Sequence, residues 1–275
     1  MTSNNQTDVV KEMAPVRAGD SDTRFAGELL GSIGQLLGRF VSPDGHTVDY
    51  PGLEACSDYH DYLEKSLDLA RFDPAVLEDR EHRLAFWINI YNMTVIDRVV
   101  KLSINDSVED DKGFFSREAF QVGSHKYSLD DIENGILRGN ARRQYLPLRQ
   151  FRIGDARIRF PVKPIHECIC FALVRGSKSC PILHFYQAEK IEAQLHAAAD
   201  GFINGGGAVL NRDARTLSIS RLFKRHAADF GGGQGVMKFI VNHFSSTEDA
   251  AFLRAHASSL KVDYQNCDWG LNISV

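Results

Sequence analysis

Between Glu81 and Leu102 the chain reads EHRLAFWINIYNMTVIDRVVKL, and apolar residues occupy more than one stripe of its helical circumference. A helix of that kind cannot lie on a surface. It needs neighbours on several sides, so the rest of the chain must be arranged around it. Trp87, Ile90, Tyr91, Val95 and Val99 are expected in the core. Asn89 and Asn92 lie inside the same apolar stretch, where amides need partners, and they are expected to tie down a neighbouring loop.

The remaining segments supply mainly short helices and hairpins. Phe25, Leu29, Leu30, Ile33, Leu36, Leu37 and Phe40 recur at helical spacing, and Tyr59, Tyr62, Leu63 and Leu67 mark a second helix. Asp73-Pro74 opens a short helix, the aspartate as cap and the proline in its first turn. FQVGSHKYS reads as a hairpin around Gly123, and AVLNRDARTLSIS as another turning at Asn211 to Ala214. Ser128 and Asp131 form an acidic capping box ahead of LDDIENGILR. Ile169 to Val174 reads as a buried strand, followed by the helix AEKIEAQLHAAADGFI. The glycine runs NGGGA and FGGGQG end helices and match no phosphate-binding pattern. Helices outnumber strands, and the strands come as hairpins, so the fold class is α+β, helix-rich, with a small, mainly antiparallel sheet. Residues 1–21 are expected to be a mobile polar tail and residues 22–275 a single globular domain.

A formal net charge of -4 gives no broad electrostatic reason to bind nucleic acid or an anionic membrane. The basic clusters Arg138 to Arg152 and Arg157 to Lys163 are balanced by acidic segments. No run reaches the roughly 18 uninterrupted apolar residues of a membrane-spanning helix, and the first 22 residues lack the apolar core of a secretory signal. The five cysteines, Cys56, Cys168, Cys170, Cys180 and Cys267, are odd in number and irregularly spaced. That pattern suits a reducing compartment, and a cytoplasmic location is expected.

The chemistry concentrates in CFALVRGSKSCPIL. Cys180 follows a polar knuckle with Arg175 and Lys178 close in sequence, and Pro181 fits a first helical turn; these are the surroundings that activate a thiol. Against this stands the tendency of cysteine to be a small buried residue. If HECIC is a strand, His166, Cys168 and Cys170 share one face, and with Cys180 they could converge on zinc. The spacing is not that of a zinc knuckle, and apolar packing is the plainer account. Asp130, Asp131, Glu133 and Arg138 form a third group, either an orienting acid with its cation or a capped helix bearing surface charge.

LAFWINIYN, YSLDDIENGILRG, FALVRGSKSCPIL, IEAQLHAAADGFIN, LSISRLFKRHAADFG and VDYQNCDWGLN occur in an order that resembles the DUF547 family, a domain of unknown function. The resemblance runs from about Val48 to Asn272. It implies a helix-rich α+β domain whose members have been loosely called electron carriers or thiol enzymes. The cysteine of SCP is kept as Cys180. Asn134 and Cys170 stand where the family pattern usually has histidines.

Two functions follow as expectations. One is a thiol-dependent enzyme carrying out acyl, amide or thiol transfer or hydrolysis on a small molecule or peptide. Cys180 would be its nucleophile and His166 or Glu133 its support, with Arg138, Lys178 and Ser179 binding substrate and no metal or cofactor. The other is a non-catalytic module that binds a ligand or protein, the thiol being incidental.

Overall fold

A computed structural model describes residues 18–77, 79–142 and 148–274. Its helices, in chain order, are α1 (Ala18–Phe40), α2 (Tyr50–Glu54), α3 (Ser57–Ser66), α4 (Arg80–Lys101), α5 (Ile191–Phe202), α6 (Arg221–Arg225), α7 (Gly233–His243) and α8 (Thr247–His256). The apolar segment forms α4, and every residue from Leu84 to Ile96 is buried. Asp79 caps it by accepting the His82 N–H at 2.7 Å, and Arg98 and Lys101 face the negative end of its dipole. α1, α2 and α5 pack against it. α1 lays Leu29, Ile33 and Leu36 on this core, as the helical spacing predicts. The helix starts at Ala18, so residues 18–21, expected in the tail, belong to it; the rest of that expectation lies outside the described residues.

Both hairpins form. β1 (Phe120–Val122) and β2 (His125–Tyr127) pair antiparallel around Gly123, and β3 (Ala208–Asn211) pairs antiparallel with β4 (Thr216–Ile219). β5 (Lys261–Tyr264) adds to β4 in parallel. Among the described residues, two small sheets beside eight α-helices make a helix-rich α+β fold. The capping box is present: the Ser128 N–H donates to Asp131 and the Asp131 N–H to Ser128 Oγ, at 3.0 and 3.1 Å. It opens a π-helical segment, Asp131–Leu137.

The expected strand Ile169 to Val174 does not form. Ile169–Phe171 is one 3-10 turn, and Ala172 to Val174 run on without a strand partner. The physical reason lies in α4. The Asn92 amide donates to the Ala172 carbonyl at 2.9 Å and accepts the Val174 N–H at 3.0 Å, so one side chain supplies the pair of bonds an adjacent strand would otherwise provide. Asn89 does the same at Tyr186, at 2.7 and 3.0 Å. Phe171 is buried among Phe202, Phe223, Phe230 and Phe239, with ring centroids 5.3 to 6.2 Å away. These rings form an aromatic cluster between the turn and the C-terminal helices.

The end of the chain returns to the first half. The Lys178 N–H donates to the Gly270 carbonyl at 2.9 Å and the Val48 N–H to the Asn272 carbonyl at 2.8 Å. Tyr50 donates its hydroxyl to Asn272 Oδ1 at 2.7 Å. The loop carrying Cys180 therefore lies between α4 and the last residues. Among the described residues no helix is long and apolar enough to cross a membrane.

Candidate functional site

Residues 175–185 are gripped at both ends by α4, through Asn92 at Val174 and Asn89 at Tyr186. Within this loop Gly176 adopts φ +68°, and a side chain there would meet Val108 Cγ1 at 3.0 Å. Glycine is required on both counts: the left-handed backbone and the close approach to the core. The turn it permits brings the Cys180 N–H to the Ser177 carbonyl at 3.1 Å. It also brings two polar groups to the Cys180 sulfur: the Arg175 N–H donates to it at 3.0 Å, and the Ser177 hydroxyl lies at 3.1 Å, where either group can be the donor. Negative charge arising on that sulfur would meet both.

Cys180 lies on the wall of a cavity of about 550 Å³, together with Arg175, Arg221, Arg225, Cys267 and Trp269. A second cavity of about 270 Å³ also reaches Cys180, and its lining includes His46, Lys178 and Ser179. Three of the residues singled out from sequence, Cys180, Lys178 and Ser179, thus share one place. Ser179 is held there by the Asp268 N–H, which donates to its hydroxyl at 2.7 Å. Cys267 is half-buried, and its thiol is pushed above its ordinary range, first by burial and also by the neighbouring Cys180.

Glu133 lies behind the first cavity rather than on its wall. Arg175 donates to it at 2.9 Å, and Arg225 and His226 approach at 3.5 and 3.7 Å. Burial pushes the Glu133 carboxyl up, but Arg175, Arg225, His226 and Arg138 outweigh this and hold it well below the usual carboxylate range. It remains an anion that fixes two cavity arginines in place. Arg175 also lies over the Phe115 ring at 4.0 Å, so its planar head is confined on more than one side.

Arg138 is not in the cavity. It is buried in a two-pronged ion pair with Asp229, at 2.6 and 2.8 Å, and donates to Asn134 at 2.7 Å, so its donors are taken up inside the fold and not offered to a ligand. His226 is 3.5 Å from Asp229, and burial lowers its affinity for a proton despite that carboxylate. The fragment RLFKRHAADFG thus delivers Arg225 to the cavity and His226 and Asp229 to the buried network behind it. Sequence reading gave none of the three a role; the one visible signal was a histidine and an aspartate three apart in a helical stretch, which also fits an exposed surface pair.

His166 is elsewhere. It lines neither cavity, its Nε2 lies 2.9 Å from Glu192, and its Nδ1 accepts the Cys168 N–H at 3.1 Å. Because the segment is a turn and not a strand, His166, Cys168 and Cys170 do not share a face with Cys180. The four-residue convergence entertained for zinc does not occur. Cys170 is fully buried, and burial pushes its thiol well up. Cys168 instead meets His196 of α5, Sγ to Nδ1 at 3.6 Å.

A family model described as "Protein of unknown function, DUF547" matches residues 75–203, which take in α4, the π-helical segment, the Cys180 loop and α5. The chain belongs to the DUF547 family. The match covers about half of the chain, less than the Val48 to Asn272 span suggested by the motifs. No curated protein and no solved structure gives a significant match. The DUF547 region supplies Cys180, Arg175 and Glu133, while Arg221, Arg225 and Cys267 come from beyond it. Asn134 and Cys170, where the resemblance implies histidines, lie near the Arg138–Asp229 pair: Asn134 through its bond to Arg138, and Cys170 within the field of both charges.

Proposed function

We propose that this DUF547 protein is a cysteine-dependent acyl-transfer or hydrolytic enzyme acting on a small substrate that carries a carboxylate. The observation that carries the reading is the Cys180 turn: a sulfur on a cavity wall with a backbone N–H and a hydroxyl directed at it. Sulfur attacks the acyl carbon, the leaving group departs with a proton, and water then cleaves the thioester to release the acid and restore the thiol. Arg175, Arg221 and Arg225 outnumber the one lining carboxylate, Glu109, and would hold an anionic tail by paired hydrogen bonds. His46, on the wall of the adjoining cavity, is the group assigned to carry the proton.

Intact-mass spectrometry with S-phenyl thioesters of benzoic acid and of terephthalic acid tests this. The expected result is an acyl adduct on Cys180, formed at least tenfold faster with the terephthalic monoester, and loss of that preference in Arg225→Ala. Iodoacetamide should also modify Cys180 ahead of Cys56 and Cys267. Equal labelling of the three, or acylation that survives Cys180→Ser, would overturn the reading.

One observation favours a binding module instead. Both partners of the sulfur belong to its own turn, and among the described residues no imidazole bonds to it. In that case terephthalate monoanion would bind the Cys180→Ala variant as tightly as the parent, and no acyl adduct would form.

A further inference from the structure

We propose that Cys168, His196 and His243 form a binding site for a zinc-like divalent metal ion, separate from the Cys180 cavities and independent of the function assigned to them. One ligand atom from each of the three lies within 4.8 Å of the others. They come from three places in the chain: the turn before Ile169, the middle of α5 and the last turn of α7. Zinc binds thiolate at about 2.3 Å and imidazole at about 2.0–2.1 Å, so a tetrahedral ion separates that sulfur and nitrogen by about 3.6 Å. Cys168 Sγ and His196 Nδ1 are 3.6 Å apart.

The surrounding groups are those that orient ligands around a metal. His243 Nδ1 faces Asp200 Oδ1 at 2.6 Å, which fixes its tautomer and leaves Nε2 for the ion; carboxylate–histidine pairs of this kind position metal ligands generally. Two carboxylates flank the three ligands, Asp200 against His243 and Glu192 against His166 at 2.9 Å. Arg80 pairs with Glu192 at 2.7 Å and leaves Asp200 to His243. A divalent ion offsets this negative field and takes the place of the Cys168 proton, which passes to solvent.

His166, Glu192 and His196 make an overlapping trio. It is the weaker choice, because both His166 nitrogens are already engaged, by the Cys168 N–H and by Glu192. His166 acts instead as a support that fixes the Cys168 backbone. Cys168 is buried while His196 is exposed, so the ion would sit at the surface with sulfur beneath it. Its fourth position would be open to water or an incoming ligand, the arrangement of reactive rather than closed structural zinc sites.

Tag-free protein stripped with a chelator and titrated with zinc in a calorimeter tests the site. One zinc per chain is expected, weakened at least 100-fold in His243→Ala and in His196→Ala, and about tenfold or more in Asp200→Asn. Cobalt should give a sulfur-to-cobalt charge-transfer band that is lost in Cys168→Ser and kept in Cys180→Ser. The exposed His196 makes its variant safe for the fold, which circular dichroism would confirm, so the test survives a poorly folded Cys168→Ser. Zinc uptake below one per chain, uptake unchanged by His196→Ala and His243→Ala, or a cobalt spectrum without sulfur character would overturn the proposal. The contact would then be a thiol–imidazole hydrogen bond and nothing more.

Discussion

Glu133 is the residue on which most of the site's charge converges. It is 2% exposed and faces Arg175, Arg225 and His226. A buried anion among cations is costly to create but far more costly to remove alone, because its partners then face one another without compensation. Glu133→Gln is therefore expected to destabilise the protein by about 3 to 5 kcal/mol at neutral pH, as measured by urea unfolding. Glu133→Gln with Arg225→Met should cost less than the sum of the two single changes, since the second removes one uncompensated cation. Additive losses would mean that the Arg225 contact contributes nothing.

At the scale of elements, α4 is the centre of the fold. Trp87 is fully buried and packs on Phe86 and Tyr127, with ring centroids 5.3 and 5.2 Å away. Trp87→Ala should cost about 3 to 5 kcal/mol, and the amides of α4 should be among the slowest to exchange with solvent; fast exchange there would contradict a single core built on this helix. The helix was legible in the sequence because its apolar residues leave no side for water. The two hairpins were legible because turn residues interrupt alternating runs. The segment from Ile169 to Val174 was not, because a continuous apolar run says only that the backbone is enclosed. What enclosed it was a side-chain amide about eighty positions earlier, and no local pattern carries that information. The same limit separates the sites. Cys180, Lys178 and Ser179 are neighbours in sequence and share a wall. His166 is close in sequence too, but the turn directs it toward α5. Arg225, His226 and Asp229 arrive from the end of α6 and the 3-10 turn after it, and their spacing gives no sign of the partners they meet.

Over the whole molecule the buried charges imply a two-stage response to acid. Burial holds His226 and His166 below the ordinary imidazole value of 6.5. As pH falls through that value the unfolded chain takes up protons that the folded chain refuses, so stability declines. A second decline begins near the ordinary glutamate value of 4.5, because Glu133 stays ionised in the fold while its unfolded counterpart is neutralised. Urea midpoints should therefore be level from about pH 8 to 7, fall below about 6.5 and fall again below about 4.5. A flat response between pH 7 and 5 would show that the two histidines are hydrated in solution.

The two asparagines of α4 carry a kinetic meaning as well. Each grips the backbone at one end of the Cys180 loop, and both belong to the most deeply enclosed helix. Neither end of the loop can consequently swing away while the core stays shut. Closing the Cys180 turn and completing the core become a single event, and a chain that has folded only its outer helices has not yet formed that turn.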